Sequence, residues 1–201
     1  MNRLKLLGAL AVAALATACV TPVGPVEVTR FHVPEVQTMA RGAITVVPAQ
    51  GIDPASLEFR TYAAAVEREL QRLGFTGTDI GPAGTGDAPV AVLAVGRNLF
   101  RPERARGPVS VGVGGSTGSY GSGVGLGVGI DLSGKPPEQV QTFLSVMIRR
   151  GVDGPTLWEG RATFAVSGKS PLADTNLGAA KMAEALFRDF PGESGKTVLV
   201  E

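Results

Sequence analysis

Apolar side chains return at Phe59, Tyr62, Ala63, Val66, Leu70 and Leu73, the rhythm of a helix with one buried face. Glu67, Arg68, Glu69 and Arg72 mostly cover the wet side, and Gly74 supplies the stop. Asp53-Pro54 reads as an N-cap followed by a proline in the first helical position. A second helix is predicted from about Asn176 to Asp189, capped by Asp174, with Leu177, Ala180, Ala183, Phe187 and Phe190 on its apolar side. Elsewhere the period is two or the apolar run is continuous, the marks of strands. Val26–Val36 and Ala43–Val47 are the first two, the latter stopped by Pro48. Val90–Val95 reads as a central strand buried on both faces, and Gly77–Pro89 before it as a turn-rich connection. Gln141–Arg150 and Thr156–Ser167 form a predicted hairpin around Gly151–Pro155, with Phe143 and its alternating neighbours fitting a covered sheet. This order predicts an α+β two-layer sandwich, a mainly antiparallel sheet with two helices on one face.

Glycine is concentrated between residues 107 and 134, yet the apolar positions there alternate. Val109, Val111 and Val113 share one face, as do Val124, Leu126, Val128, Ile130 and Leu132. The reverse face carries Ser110, Gly112 and Gly114, then Gly123, Gly125, Gly127, Gly129 and Asp131. Period two with a bare reverse face reads as a Gly-rich hairpin extension, closed by the loop Gly115–Ser122. Each glycine costs a strand about 0.5–1 kcal/mol relative to alanine, so the same segment also reads as a loop insert that is weakly ordered by itself.

The apolar run Leu6–Ala18 follows Arg3 and Lys5 and ends in small residues, the layout of a secretory signal. It is shorter than the roughly 20 residues of a membrane-spanning helix. Leu15-Ala16-Thr17-Ala18 leads directly into Cys19, the single cysteine of the chain, and this resembles a bacterial lipoprotein signal. On that reading residues 1–18 are the signal peptide, Cys19 carries the lipid and residues 19–26 are a Pro/Gly tether. A single domain follows over residues 27–201. A plain secretory signal cut near Ala18 is the alternative and would leave Cys19 unmodified. Val20 after the cysteine resembles the outer-membrane sorting pattern of enteric bacteria, which implies a periplasm-facing outer-membrane lipoprotein.

Losing Arg3 and Lys5 with the signal lowers the basic count from 19 to 17 against 18 acidic residues. A near-neutral chain lacks the cationic field that nucleic acid requires. With Cys19 acylated, neither a disulfide nor a cysteine metal site is expected, and His32 alone cannot hold a metal. No cofactor is expected. Gly114-Gly115-Ser116-Thr117-Gly118 matches G-x-S-x-G, but the strand–turn–helix setting of a nucleophile elbow is missing and the single histidine lies upstream. Gly168-Lys169-Ser170 and Gly195-Lys196-Thr197 echo a P-loop without its first glycine and read as turns. G-x-G-x-x-G does not occur in the glycine segment. Arg97, Arg101, Arg104 and Arg106 form the one basic run, a solvated loop or a contact for an anionic surface such as headgroups or cell-wall polymers.

The chain resembles the bacterial lipoproteins grouped as the domain of unknown function numbered four-one-three-six. The resemblance rests on Cys19, on Glu69-Leu70-Gln71-Arg72-Leu73-Gly74-Phe75, and on the strand Val90–Val95. It rests further on the Gly-rich segment, on Thr156-Leu157-Trp158-Glu159-Gly160-Arg161-Ala162, and on Phe187, Phe190 and Pro191. Asp87 precedes the strand that an acidic residue often opens in that family. The resemblance implies an envelope lipoprotein and no chemistry. The function expected is therefore non-catalytic: a lipid-anchored module that binds an envelope protein or polymer through its sheet edge or a helix face. Its rival is a self-assembling pore or secretion subunit, since the layout also resembles the curli secretion lipoprotein, in which an anchored α/β domain donates hairpins to a barrel.

Overall fold

The computed structural model describes residues 24–80, 88–102, 109–118, 121–130 and 137–201. The fold is α+β. Its strands are β1 (Val26–His32), β2 (Ala43–Pro48), β3 (Thr76–Ile80), β4 (Pro89–Phe100), β5 (Val109–Gly118), β6 (Gly121–Ile130), β7 (Gln139–Arg150), β8 (Thr156–Ser167) and β9 (Thr197–Val200). The helices are α1 (Leu57–Arg72) and α2 (Thr175–Phe187). Seven strands make one sheet in the order β3-β2-β4-β7-β8-β1-β9, and β5 and β6 pair separately. The sheet is mixed: β2 runs parallel to both β3 and β4, and the remaining ladders are antiparallel. The parallel step from β2 to β3 is made by α1, the crossover that parallel neighbours require.

The helix α1 starts three residues later than Asp53 suggests. Ser56 is the N-cap, its Oγ accepting from the Phe59 N–H at 3.2 Å, while Asp53 Oδ1 accepts from Ala55 in a turn just ahead. The expected face is buried: Phe59, Tyr62, Ala63, Val66 and Leu70 all lie in the core. Gly74 ends the helix at φ +90°, in the left-handed region that glycine tolerates. In α2 the cap is as expected, with Asp174 Oδ1 accepting from the Asn176 N–H at 2.9 Å. The buried face is as expected only in part: Ala183 and Phe187 are buried and Phe190 packs against the core. Ala179, Met182, Ala183 and Leu186 point inward, whereas Leu177 and Ala180 are exposed. The helix is apolar nearly all round, so its periodicity fixes the facing side poorly.

The strands differ from the sequence reading at four places. β1 stops at His32, because Pro34 has no N–H to give a ladder and a short 3-10 turn, Pro34–Gln37, begins there. Residues 77–80, expected as the start of a connection, belong to the edge strand Thr76–Ile80 beside β2. β9 is paired to the outer edge of β1, with Val26 opposite Val200, and its four residues offer too short a pattern to notice. In β7 the buried phase is Val140, Thr142, Leu144, Val146 and Ile148, so Phe143 lies on the uncovered face. β5 and β6 pair antiparallel, from Val109 opposite Ile130 to Gly118 opposite Gly121. Pairing thus continues through most of the segment expected to be a loop. Leu132, Asp131 and Tyr120 lie outside the described residues.

One aromatic cluster joins the end of α2 to the sheet. Trp158 is wholly buried and stacks on Phe187 at 5.2 Å and 16°, with Phe190 at 5.2 Å on a tilt. The indole lies across Gly160, where an added Cβ would come within 2.3 Å of the ring and 2.7 Å of Leu186. Its Nε1–H donates to the Pro191 carbonyl at 3.0 Å, giving the buried polar edge a partner. Arg30, 4% exposed, donates from Nε to the Leu186 carbonyl at 2.9 Å and from Nη2 to the Ala185 carbonyl at 2.8 Å. These are last-turn carbonyls that the helix itself leaves unpaired. Burial pushes the guanidinium pKa down, and the Asp189 charge opposes that shift.

Leu70→Ala is expected to lower stability by about 2–5 kcal/mol, the range for deleting a large buried side chain; an unchanged urea midpoint would show that this face of α1 is not in the core. Arg30→Met should lower stability by about 1–3 kcal/mol by leaving two carbonyls unpaired. Arg30→Lys should recover only part of it, since an ammonium lacks the planar fork. Equal midpoints for wild type and Arg30→Met would show that the two bonds from Arg30 to the end of α2 add nothing to stability.

Candidate interaction surface

The sheet is covered on one face. Odd-numbered positions of β7 and their partners form the other: Gly96, Phe143 and Thr163 stand in one row, Ala94, Ser145 and Arg161 in the next. Phe143 is 41% exposed and Phe31 on β1 is 42% exposed. Small residues around Phe143 leave a depression of about 340 Å³, lined on this face by Ala94, Gly96, Phe143, Ser145, Arg161 and Thr163. Arg161 is held over this face by Glu159 at 2.6 Å and by the Phe31 ring, whose centroid is 5.9 Å away. The surface therefore offers an aromatic edge, a small-residue floor and one ion pair. That composition suits an apolar or mixed contact, and it lacks a nucleophile–base pair. Among the described residues no group of three or more His, Cys, Asp or Glu converges as a metal would need.

A second concavity of about 860 Å³ runs along the outside of the helix pair, between Leu57, Thr61 and Ala64 of α1 and Asn176, Leu177 and Ala180 of α2. It is open and carries charge of both signs along α1, at Arg60, Glu67 and Arg68. A third feature is electrostatic. The Arg41 guanidinium lies between Phe75 and Phe190, 5.1 and 4.9 Å from their centroids. Its Nη1 is buried with no hydrogen-bond partner, and burial lowers its pKa. The two ring faces compensate the charge in place of an anion, which reads as packing of the loop before β2 rather than as a ligand site.

The residues singled out from sequence fall into separate groups. Cys19, the signal segment, Arg104 and Arg106 lie outside the described residues. Arg97 and Arg101 are on or just beyond the end of β4. Arg97 is already engaged: it donates to Thr175 Oγ1 and to the Ala173 carbonyl, both at 2.7 Å, and so ties β4 to the start of α2. Arg101 is exposed. His32 is half-buried, and its Nε2–H donates to the Gly192 carbonyl at 3.0 Å. Residues Gly114–Gly118, the G-x-S-x-G match, lie within β5 opposite β6. The uncovered sheet face was not singled out in advance. Its signal is the second phase of the β7 alternation, Gln141, Phe143, Ser145, Met147 and Arg149, which is too polar for a buried surface and too apolar for a fully solvated one.

No protein-family model matches the chain. It is similar to an uncharacterized protein of Zymomonas mobilis, 27% identical over 215 aligned residues that cover 88% of this chain and 80% of that protein. Among solved structures it is similar to the PelC dodecamer from Paraburkholderia phytofirmans, at 15% identity and a TM-score of 0.45, over 81% of this chain and 94% of that one. A PDZ domain protein from Parabacteroides distasonis aligns at 11% identity and a TM-score of 0.44, over 97% of this chain and 42% of its own.

Proposed function

We propose that the chain is a lipid-anchored cell-envelope lipoprotein, a non-catalytic module held at the periplasmic face of the outer membrane and binding an envelope protein or polymer. Its domain is a two-layer α+β sandwich, and the bare sheet face around Phe143 is the surface offered to that partner. The observation that carries the reading is the spacing of the anchor: the lipoprotein-type signal ends at Cys19, seven residues before β1 opens at Val26. A tether of that length reaches at most about 25 Å, which keeps the domain next to the bilayer. The resemblance to the lipoprotein family of unknown function agrees with this, and the packing of Trp158 across Gly160 supplies a physical reason for two residues of the segment Thr156–Ala162 that carries it.

Cys19→Ser is expected to move the protein from the membrane fraction into the soluble periplasm after fractionation of cells. Protein that is processed and soluble with Cys19 intact would overturn the anchor.

The hairpin register favours a second reading, a pore subunit. β5 and β6 are each ten residues long, within the roughly 9–11 residues of a membrane-spanning strand. Four cross-strand rows, from Val109/Ile130 to Gly115/Val124, carry the apolar positions on one side; at about 3.4 Å per residue they span roughly 20 Å, close to the apolar band of such barrels. Two strands alone leave unpaired edges that lipid does not tolerate, so this reading requires several copies. Added to dye-loaded vesicles, the lipidated protein should leave the dye inside if it is a binding module. Leakage that disappears in Leu126→Asp and Val128→Asp would replace the first reading with the second.

A further inference from the structure

We infer that the domain docks on the bilayer by one end, seating Leu99, Phe100, Leu57 and Leu177 in the headgroup–acyl boundary through an apolar, salt-independent contact. The inference rests on the lipid at Cys19 and adds an orientation to it. The sheet register defines that end. The start of β1 lies beside the end of β8, with Glu27 opposite Thr163. The end of β8 meets the start of β7, Ser167 opposite Gln139, and the start of β7 meets the end of β4, Gln139 opposite Phe100. Gly24 is thus at the same end as Leu99 and Phe100. Cys19 is five residues before Gly24, no more than about 18 Å of extended chain. An acyl chain there brings this end within reach of the membrane.

The helices present the same end. β2 runs parallel to β4, with Pro48 beside Leu93, so the chain leaves β2 heading toward it and α1 returns from it. The bonds from Arg97 to Thr175 and Ala173 fix the start of α2 there as well. Leu57 and Leu177, in the first turns of the two helices, line one groove. Leu57 is 79% exposed, Leu99 70%, Leu177 52% and Phe100 38%. Four large apolar side chains left in water at the anchored end have an occupant within reach, the interfacial layer that takes apolar side chains a few ångströms deep.

Among the described residues at this end, the exposed Arg60, Arg101 and Lys169 are accompanied by the exposed Asp53, Glu58, Glu138 and Asp174, and Arg97 is spent within the domain. A mixed set of this kind makes no cationic patch for anionic lipid.

The test uses the full lipidated chain reconstituted into phosphatidylcholine vesicles containing nitroxide-labelled lipid. With Cys19 blocked by its lipid, a cysteine introduced as Leu99→Cys, Leu177→Cys or Val152→Cys is the one reactive thiol for a fluorophore; Val152 is exposed in the β7–β8 turn at the opposite end. Fluorescence should be quenched at 99 and 177, unquenched at 152, and unchanged between low and high salt. Adding Leu57→Glu and Phe100→Glu should release the quenching at 99 while the protein still floats with the vesicles. Equal quenching at 99 and 152, no quenching at 99, or quenching that salt abolishes would overturn the docking. Protein that does not float, with Cys19 itself taking the label, would instead remove the anchor and the docking with it.

Discussion

The closure of the fold depends on a missing side chain. Trp158 and Gly160 are successive residues on the same face of β8, and the indole occupies the space that a Cβ at 160 would fill. Laid flat, the ring is close enough to the sheet for Phe187 and Phe190 to stack over it, and its N–H is aimed at the carbonyl of Pro191. The path of the chain after α2 follows from that. Arg30 caps the final turn, His32 holds the carbonyl of Gly192, and Gly195 donates to Arg30 O, which delivers the chain to β9. Filling position 160 would lift the ring, and several of these contacts depend on the ring's height above the strand.

Two helices on a seven-stranded sheet leave a second consequence, the division of the molecule into a dry side and a wet one. On the dry side the rows are consistent across strands: Trp158 opposite Ile148, Ala162 opposite Leu144, Val28 opposite Ala162. Tyr62 is buried there too; burial pushes its hydroxyl pKa up, and a hydrogen bond to Thr142 partly offsets this. On the wet side the same strands carry Thr29, Arg161, Ser145 and Gln141 between Phe31 and Phe143. Single exposed hydrophobics are ordinary in a monomer. A depression bordered by an aromatic ring and an oriented arginine is a more specific surface, which is why the partner-binding reading is placed there.

How much of this was legible from sequence varies with the element, for physical reasons. The face of α1 was, because its apolar positions recur against a charged background of Glu67, Arg68 and Arg72. The face of α2 was legible only in part, at Ala183 and Phe187: Leu177, Ala179, Ala180, Met182 and Ala183 leave almost no polar contrast, so the inward side is chosen by the sheet. The span of the β7–β8 hairpin followed from its alternation and its glycine turn, but the buried phase did not, since Phe143 is larger than the Thr142 that lies beneath the helices. β3 and β9 take their existence from a neighbour's free edge rather than from their own residues. Arg97 is the sharpest case among the site residues. A basic run suggests a surface, yet only the register shows its guanidinium reaching across to Ala173 and Thr175.

Phe100 and Gln139 are cross-strand partners, although the chain between them contains the whole glycine-rich region. The two ends of that insertion are separated by a single strand spacing, about 5 Å, so the sheet closes around the junction whatever the insertion does. Closing a loop of that length rather than a short turn costs only about 2 kcal/mol, since each doubling of length adds about 0.6 kcal/mol. The region is therefore excisable in principle. It can lengthen, shorten or change its chemistry while the residues that fold the domain remain the same, which lets one scaffold be refitted for different tasks.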